Sequence, residues 1–202
     1  MGYIAVIDYG VGNLMSVTNA LRYVGCESMI TAQAADLERA DGILLPGVGA
    51  FPDAAEKLKQ TGLVECLKDQ AAKKPMLGIC LGMQLLFDWS SEVRKTDGLG
   101  FVSGQVDRIQ TDWKLPHIGW NSLRFPNASP LFAGLDEGCY VYFVHSFCGY
   151  AAQRANVIAT TDYGGEVLAA VQSGNVFGTQ FHPEKSGDVG MQILKNFGGL
   201  TK

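Results

Sequence analysis

The chain has 202 residues, 47% of them hydrophobic, 10% aromatic and 18% charged. At 21.7 kDa, folding leaves about 9,000 Å² exposed out of about 31,000 Å² in the open chain. That is enough burial for a substantial core, and with no low-complexity run it excludes a disordered chain. Sixteen basic against 20 acidic residues give a net charge of −4, the wrong sign for a generic polyanion-binding surface.

The apolar run Tyr3 to Ile7 has no basic flank and stops at Asp8. It therefore reads as a strand over residues 3–8, buried on both faces, and not as a signal peptide or membrane span. Gly10-Val11-Gly12 turns the chain, Asn13 caps a helix to about Tyr23, and Gly25 ends it. A third glycine at the position of Met15 would be needed for a dinucleotide-binding fingerprint, so that reading is set aside. A weak strand over 28–32, a short helix over 35–40 and an apolar strand over 42–45 come next, the last stopped by Pro46. Leu58, Leu63, Cys66 and Leu67 share one face of a single predicted helix over 53–73. A strand over 76–79 then runs into Cys80, with a helical pattern over 83–87 behind it.

Beyond Gly98 the pattern changes to short strands and turns as far as Phe125. Strands are expected over 139–144, 155–161, 167–173 and 176–180, with a closing helix over 189–197. The expected fold is α/β, an open, mostly parallel twisted sheet with helices on both faces and an antiparallel extension. One domain is expected over residues 1–202.

Five cysteines without framework or metal-cluster spacing indicate thiols in a reducing, cytoplasmic compartment, with no metal and no cofactor. Cys26, Cys66, Cys139 and Cys148 read as packing residues. Cys80 differs, because Gly78-Ile79-Cys80-Leu81-Gly82 places glycines two residues either side of it between a strand and a helix. That is the composition of a strained nucleophile elbow, which holds sulfur at a helix N-terminus and offers the Leu81 N–H to an oxyanion. The alternative is a small buried hydrophobe.

A thiol nucleophile needs a base. In Gln180-Phe181-His182-Pro183-Glu184, a carboxylate can reach back to orient the imidazole; the alternative is a surface turn. His145 ends an apolar strand and reads as a supporting or binding residue. His117 lies in a polar, aromatic loop with no partner carboxylate in sequence. Pro46-Gly47-Val48-Gly49 can bring bare backbone close to a ligand, with Val48 N–H and Gly49 as oxyanion candidates. A plain strand-to-helix connection is the other reading.

In this order and spacing, PGVG, GICLGMQ, a strand ending in His145-Ser146, and FHPEKS resemble a class I (triad) glutamine amidotransferase over essentially the whole chain. Asp8 to Asn13, Pro116 to Asn121 and Tyr142 to Ser146 are most similar to the branch that serves imidazole glycerol phosphate synthase, and PGVG differs from the PGP or PGG of other branches. The resemblance implies a Cys80, His182, Glu184 triad that hydrolyses glutamine through a thioester. It also implies substrate contacts at Gly47, Gln84, Glu92, Ser146 and Phe147, where Phe147 replaces a frequent tyrosine and supplies no hydroxyl. The implied partner is a (β/α)8-barrel cyclase subunit that receives the ammonia, met by Asn13, Ile118, Trp120 and Lys185. Val48 is expected to be misoriented until that partner binds, leaving the isolated chain weakly active. Rival readings are a subunit of another ammonia-channelling synthase, a cysteine hydrolase on a flavodoxin-like sheet, or a non-catalytic module.

Overall fold

Strand β1 (Ile4–Ile7) is buried along its whole length and divides its side chains between two apolar layers: Ala5 and Ile7 face one, Ile4 and Val6 the other. This is the alternation expected of a strand covered on both faces. The structure, a computed structural model, describes residues 2–201. Helix α1 (Leu14–Tyr23) starts where the Asn13 side chain accepts the Ser16 N–H, and Gly25 leaves it at φ +78°. Strand β2 (Ser28–Thr31), helix α2 (Ala34–Arg39) and strand β3 (Gly42–Leu45) come next, as expected.

The predicted single helix over 53–73 is two helices, α3 (Phe51–Gln60) and α4 (Val64–Ala71). Gly62 breaks it at φ +73°, and Thr61 Oγ1 closes the break by donating to the Leu58 carbonyl and accepting the Leu63 N–H. The apolar spacing continues across the break because both helices bury their faces in the same layer, with Leu58, Leu63 and Leu67 together.

Strand β4 (Met76–Ile79) leads into a four-residue helix, α5 (Leu81–Gln84). The helical pattern expected over 83–87 gives way to strand β5 (Phe87–Ser90). Leu85, Leu86 and Phe87 are all buried, so their hydrophobicity carries no period. Tertiary contact decides the matter, since the Phe87 ring lies where a Cβ on Gly149 would stand, 2.3 Å from it. Then come β6 (Thr96–Asp97), β7 (Val102–Arg108), β8 (His117–Ser122), β9 (Tyr140–His145), β10 (Phe147–Ala151), β11 (Val157–Asp162), β12 (Glu166–Ser173), β13 (Val176–Thr179) and α6 (Gly187–Leu200).

The main sheet has the order β11-β12-β13-β4-β3-β1-β2. Its five strands from β13 to β2 are parallel, and β11 and β12 add the antiparallel extension. Helices α1 and α6 cover one face, α2 to α5 the other. A four-stranded sheet (β10-β7-β5-β6) and the antiparallel β8-β9 pair stand beside it. Among the described residues no helix is long and apolar enough to cross a membrane. The register Thr179↔Ile79 aligns β13 with β4, so both strands deliver their next residues to the same sheet edge. At that edge open α/β sheets hold their ligands.

Candidate active site

Cys80 sits at φ 55°, ψ −111°, a backbone state that costs a non-glycine residue of order 1–3 kcal/mol. Its N–H donates to the Thr179 carbonyl at 2.7 Å, and Gln84 N–H donates to the Cys80 carbonyl at 3.1 Å. The flanking glycines are required sterically. A Cβ on Gly82 would stand 1.9 Å from the Leu45 carbonyl oxygen, and one on Gly78 would stand 2.6 Å from the Gly82 oxygen. Strand β3 and the elbow thus pack backbone against backbone. The residue is 7% exposed and packs in the apolar layer under α1 and α6, yet it also lines a cleft of about 500 Å³. None of the five cysteines is in a disulfide. Cys26, Cys66 and Cys139 are half-buried and Cys148 is buried, and burial pushes the Cys148 thiol up to about 11.

His182 and Glu184 come after β13 on a single 3-10 turn, Pro183–Lys185. His182 Nδ1 lies 2.8 Å from Glu184 Oε1, with the two side chains 3% and 2% exposed. This is not a surface turn. The His182 N–H donates to the Tyr142 carbonyl, and Ser186 Oγ bridges the His182 carbonyl and the Tyr142 N–H, which clamps the turn against β9. Burial alone would lower the His182 pKa. The Cys80 sulfur and the Glu184 carboxylate outweigh it and raise the ring to about 9. Among the described residues neither His182 Nε2 nor Glu184 Oε2 has a hydrogen-bond partner of good geometry. With only four residues, α5 adds little dipole at Cys80. The imidazole is the dominant charge partner.

Val48, Gly49, Leu81, Gln84, Glu92, Ser146 and Phe147 all line the same cleft as Cys80 and His182. Gly47 lies beneath it, where a Cβ would come within 2.7 Å of Tyr9 Oη and 2.8 Å of the Gly82 nitrogen. The PGVG turn is therefore seated on the elbow itself, and Gly49 leaves it at φ +110°. Glu92 Oε2 accepts the Phe51 N–H at 2.8 Å, tying the segment after β5 to the start of α3, just beyond the turn. Phe147 presents its backbone carbonyl, which accepts from Gln84 Nε2 at 3.0 Å.

Three residues that sequence pattern left unassigned belong to this site. Tyr9, buried, donates its hydroxyl to the Pro46 carbonyl at 2.7 Å, and burial raises its pKa. Gln180, also buried, accepts from Gln84 Nε2 and points its own Nε2 at Cys80 Sγ, 3.7 Å away. His117 is not in a loop. It lies on β8, buried, with Nδ1 3.1 Å from His145 Nε2. Gln180 stands two residues before His182 in sequence. The other two depend on pairing across the fold.

Asn13, Ile118, Trp120 and Lys185 lie outside the cleft. Ile118 and Trp120 point outward from β8 and are 58% and 55% exposed. Lys185 Nζ lies 6.0 Å from the Tyr142 ring centroid, and Trp120 meets that ring edge-on, so two of the four gather around one aromatic group, with Ile118 on the strand beside them.

A family profile described as glutamine amidotransferase class-I matches residues 5–199. The chain belongs to that family. The imidazole glycerol phosphate synthase subunit HisH of Bacillus cereus (strain G9842) is 50% identical over 200 residues, covering 98% of this chain and 95% of the relative. The protein of the same name from Bacillus thuringiensis (strain Al Hakam) is 46% identical with the same coverage. Among solved structures, PurLQS from Thermotoga maritima aligns at TM-score 0.79 and 22% identity over 100% of this chain and 99% of that chain. A structure titled glutamine amidotransferase aligns at 0.76 and 18% identity over 98% of this chain and 100% of that one. At these identities the structures speak for the fold alone, and the class I amidotransferase sheet is the fold of this chain.

Proposed function

We propose that this chain is the glutaminase subunit of imidazole glycerol phosphate synthase, acting in histidine biosynthesis in the cytoplasm as one catalytic unit bound to a (β/α)8-barrel cyclase. The observation that carries the reading is the strained Cys80 at the floor of an open cleft, with the His182–Glu184 pair beside it. The near-complete match to relatives named for that synthase gives the acceptor branch.

In the proposed reaction the Cys80 thiolate, paired with the His182 imidazolium, attacks the side-chain amide carbon of glutamine. The carbonyl π pair moves to oxygen, which is held by the Leu81 N–H and the Val48 N–H. Collapse of the tetrahedral adduct breaks the C–N bond while His182 passes its proton to the departing nitrogen. Ammonia leaves and a glutamyl thioester remains. His182, now neutral, takes a proton from water, whose oxygen attacks the thioester. Glutamate departs, and sulfur and imidazolium return to their starting state. Glu184 holds Nδ1–H so that Nε2 faces sulfur throughout. Gln84, Glu92 and the Ser146–Phe147 backbone bind the α-amino and carboxylate end of glutamine.

Ammonia in neutral water becomes ammonium, which is not nucleophilic, so the acceptor site must be reached without passing through solvent. The exposed group of Ile118, Trp120 and Lys185, with Asn13, supports docking of the cyclase at that edge. The test is glutamate release with and without the cyclase and its nucleotide ligand, in wild type and Cys80→Ala. Turnover only in the wild-type complex supports the reading; equal turnover in both proteins defeats it. A cysteine hydrolase would instead cleave simple esters without any partner.

A further inference from the structure

A connected chain of polar groups runs from β8 through the cleft wall to Cys80, and the proposed reaction gives no role to its outer members, Asn121, His117 and His145. Asn121 Nδ2 donates to the Asp162 carbonyl at 2.8 Å and lies 3.3 Å from His117 Nε2. His117 Nδ1 is 3.1 Å from His145 Nε2, and His145 Nδ1 is 2.8 Å from the Phe147 carbonyl. That same carbonyl accepts from Gln84 Nε2, whose second proton goes to Gln180 Oε1, and Gln180 Nε2 ends on Cys80 Sγ.

The polarity of the chain is set by the Phe147 carbonyl. A carbonyl only accepts, so His145 must carry its proton on Nδ1, and its Nε2 becomes an acceptor. His117 must then donate from Nδ1, and its Nε2 accepts from Asn121. On the other side Gln84 is forced to turn its amide nitrogen to Phe147. This leaves Gln180 Oε1 as acceptor and aims the Gln180 N–H at sulfur. Burial holds the His117 pKa near 4 and the His145 pKa near 3, so each ring has one N–H to give at neutral pH. His117 is also held in place mechanically, stacked between Phe143 at 4.6 Å and Tyr163 at 4.0 Å.

We propose that His117 is a positioning residue for the glutaminase site: through His145 it holds the Phe147 carbonyl, and so the amides of Gln84 and Gln180, in the orientation that binds substrate and faces the thiol. The inference rests on the reaction proposed above for its kinetic consequence. Its geometric content, control of the environment of Cys80, does not.

The experiment compares His117→Phe, His117→Asn and His117→Gln. Phenylalanine keeps the ring stack and removes the donor. Asparagine places an N–H where Nδ1 stands, whereas glutamine reaches only the Nε2 position. Glutamine hydrolysis is measured in the complex with the cyclase and its nucleotide, and iodoacetamide alkylation of Cys80 is followed by peptide mapping on the chain alone. Losing one hydrogen bond in such a chain corresponds to roughly a tenfold change. The glutamine KM should therefore rise about tenfold in His117→Phe and His117→Gln with kcat within about threefold, and Cys80 alkylation should slow at least about threefold. His117→Asn should restore most of both. In a Gln84→Ala background His117→Phe should add less than about a twofold further effect, because the two act on one element. The proposal is overturned if asparagine and glutamine variants behave alike, or if KM and alkylation stay at wild-type values in soluble His117→Phe. Should the phenylalanine variant fail to fold, the asparagine–glutamine contrast alone decides. A wild-type complex that releases no glutamate, with alkylation still dependent on His117, would sink the proposed reaction and leave the positioning role standing.

Discussion

The Cys80 amide and the Thr179 carbonyl, 2.7 Å apart, bring together two parts of the chain about 100 residues distant in sequence. That bond continues the β4–β13 ladder one step past its last paired residues. The segment leaving β13 must then emerge next to the elbow, and that segment is Gln180-Phe181-His182. The pairing of thiol and imidazole is thus a property of strand order, and the His182–Glu184 contact then sets the ring.

The electrostatic part of that arrangement is testable. Glu184→Gln keeps a hydrogen-bond acceptor at Nδ1 but removes the negative charge that helps raise His182. The kcat for glutamine in the complex should fall about 10² to 10⁴-fold with KM within about threefold, since the carboxylate stabilises imidazolium and touches no substrate. Steady-state kinetics decides it. A loss confined to KM would place Glu184 in substrate binding instead.

Two glycine-to-alanine changes should act with opposite sign. At Gly82 the new methyl meets the Leu45 carbonyl oxygen at 1.9 Å, so strand and elbow must separate. A cost of about 3 kcal/mol or more is expected, lowering Tm by roughly 10 °C. At Gly199, exposed in α6, nothing lies within 4 Å of the added Cβ. There helix propensity alone should stabilise by about 0.5–1 kcal/mol. Thermal unfolding of the pair checks both signs.

Acid should unfold the protein through His117 and His145. Their folded pKa values, near 4 and 3, lie below the ordinary 6.5, so the unfolded chain binds protons that the folded one refuses. Their contribution to stability is complete above pH 6.5 and is lost progressively as pH falls from 6.5 toward about 4 and 3. Each histidine contributes a slope approaching 1.4 kcal/mol per pH unit within that window. His117→Phe removes one of the two protons, and its Tm between pH 6.5 and 4 should fall less steeply by roughly 3 °C per unit. Parallel Tm curves for wild type and variant would refute this origin.

Where residues meet their neighbours locally, sequence is a sufficient guide. GICLG demands close backbone approach at two glycines, and Leu45 and Gly82 supply it. His182 and Glu184 are two residues apart and need no fold to meet. The break between α3 and α4 is hidden because the apolar period runs straight through Gly62. Strand β5 is hidden because a fully buried run such as Leu85-Leu86-Phe87 has no polar side to mark its period. His117 reads as a loop residue for a related reason: its partners, His145 and Tyr163, lie far along the chain, and no local rule joins them. Tyr9 likewise finds Pro46 only across β1 and β3.

Trp120 provides the test of the docking edge. It points away from the same strand whose other face carries His117 and Asn121, it is half-exposed, and its ring meets that of Tyr142. Truncation should therefore cost the isolated chain little, with Tm within about 2 °C of wild type, as for a surface residue away from special features. At an interface, a tryptophan anchor is worth about 2–4 kcal/mol, so Trp120→Ala should weaken cyclase binding about 30-fold or more. Lys185→Ala, whose charge lies at the rim, should lose less at equilibrium and more in association rate at low salt. Titration of the purified cyclase against each variant measures both. Unchanged affinity in Trp120→Ala would move the docking surface elsewhere on the molecule, while the cleft chemistry around Cys80 would be untouched by that result.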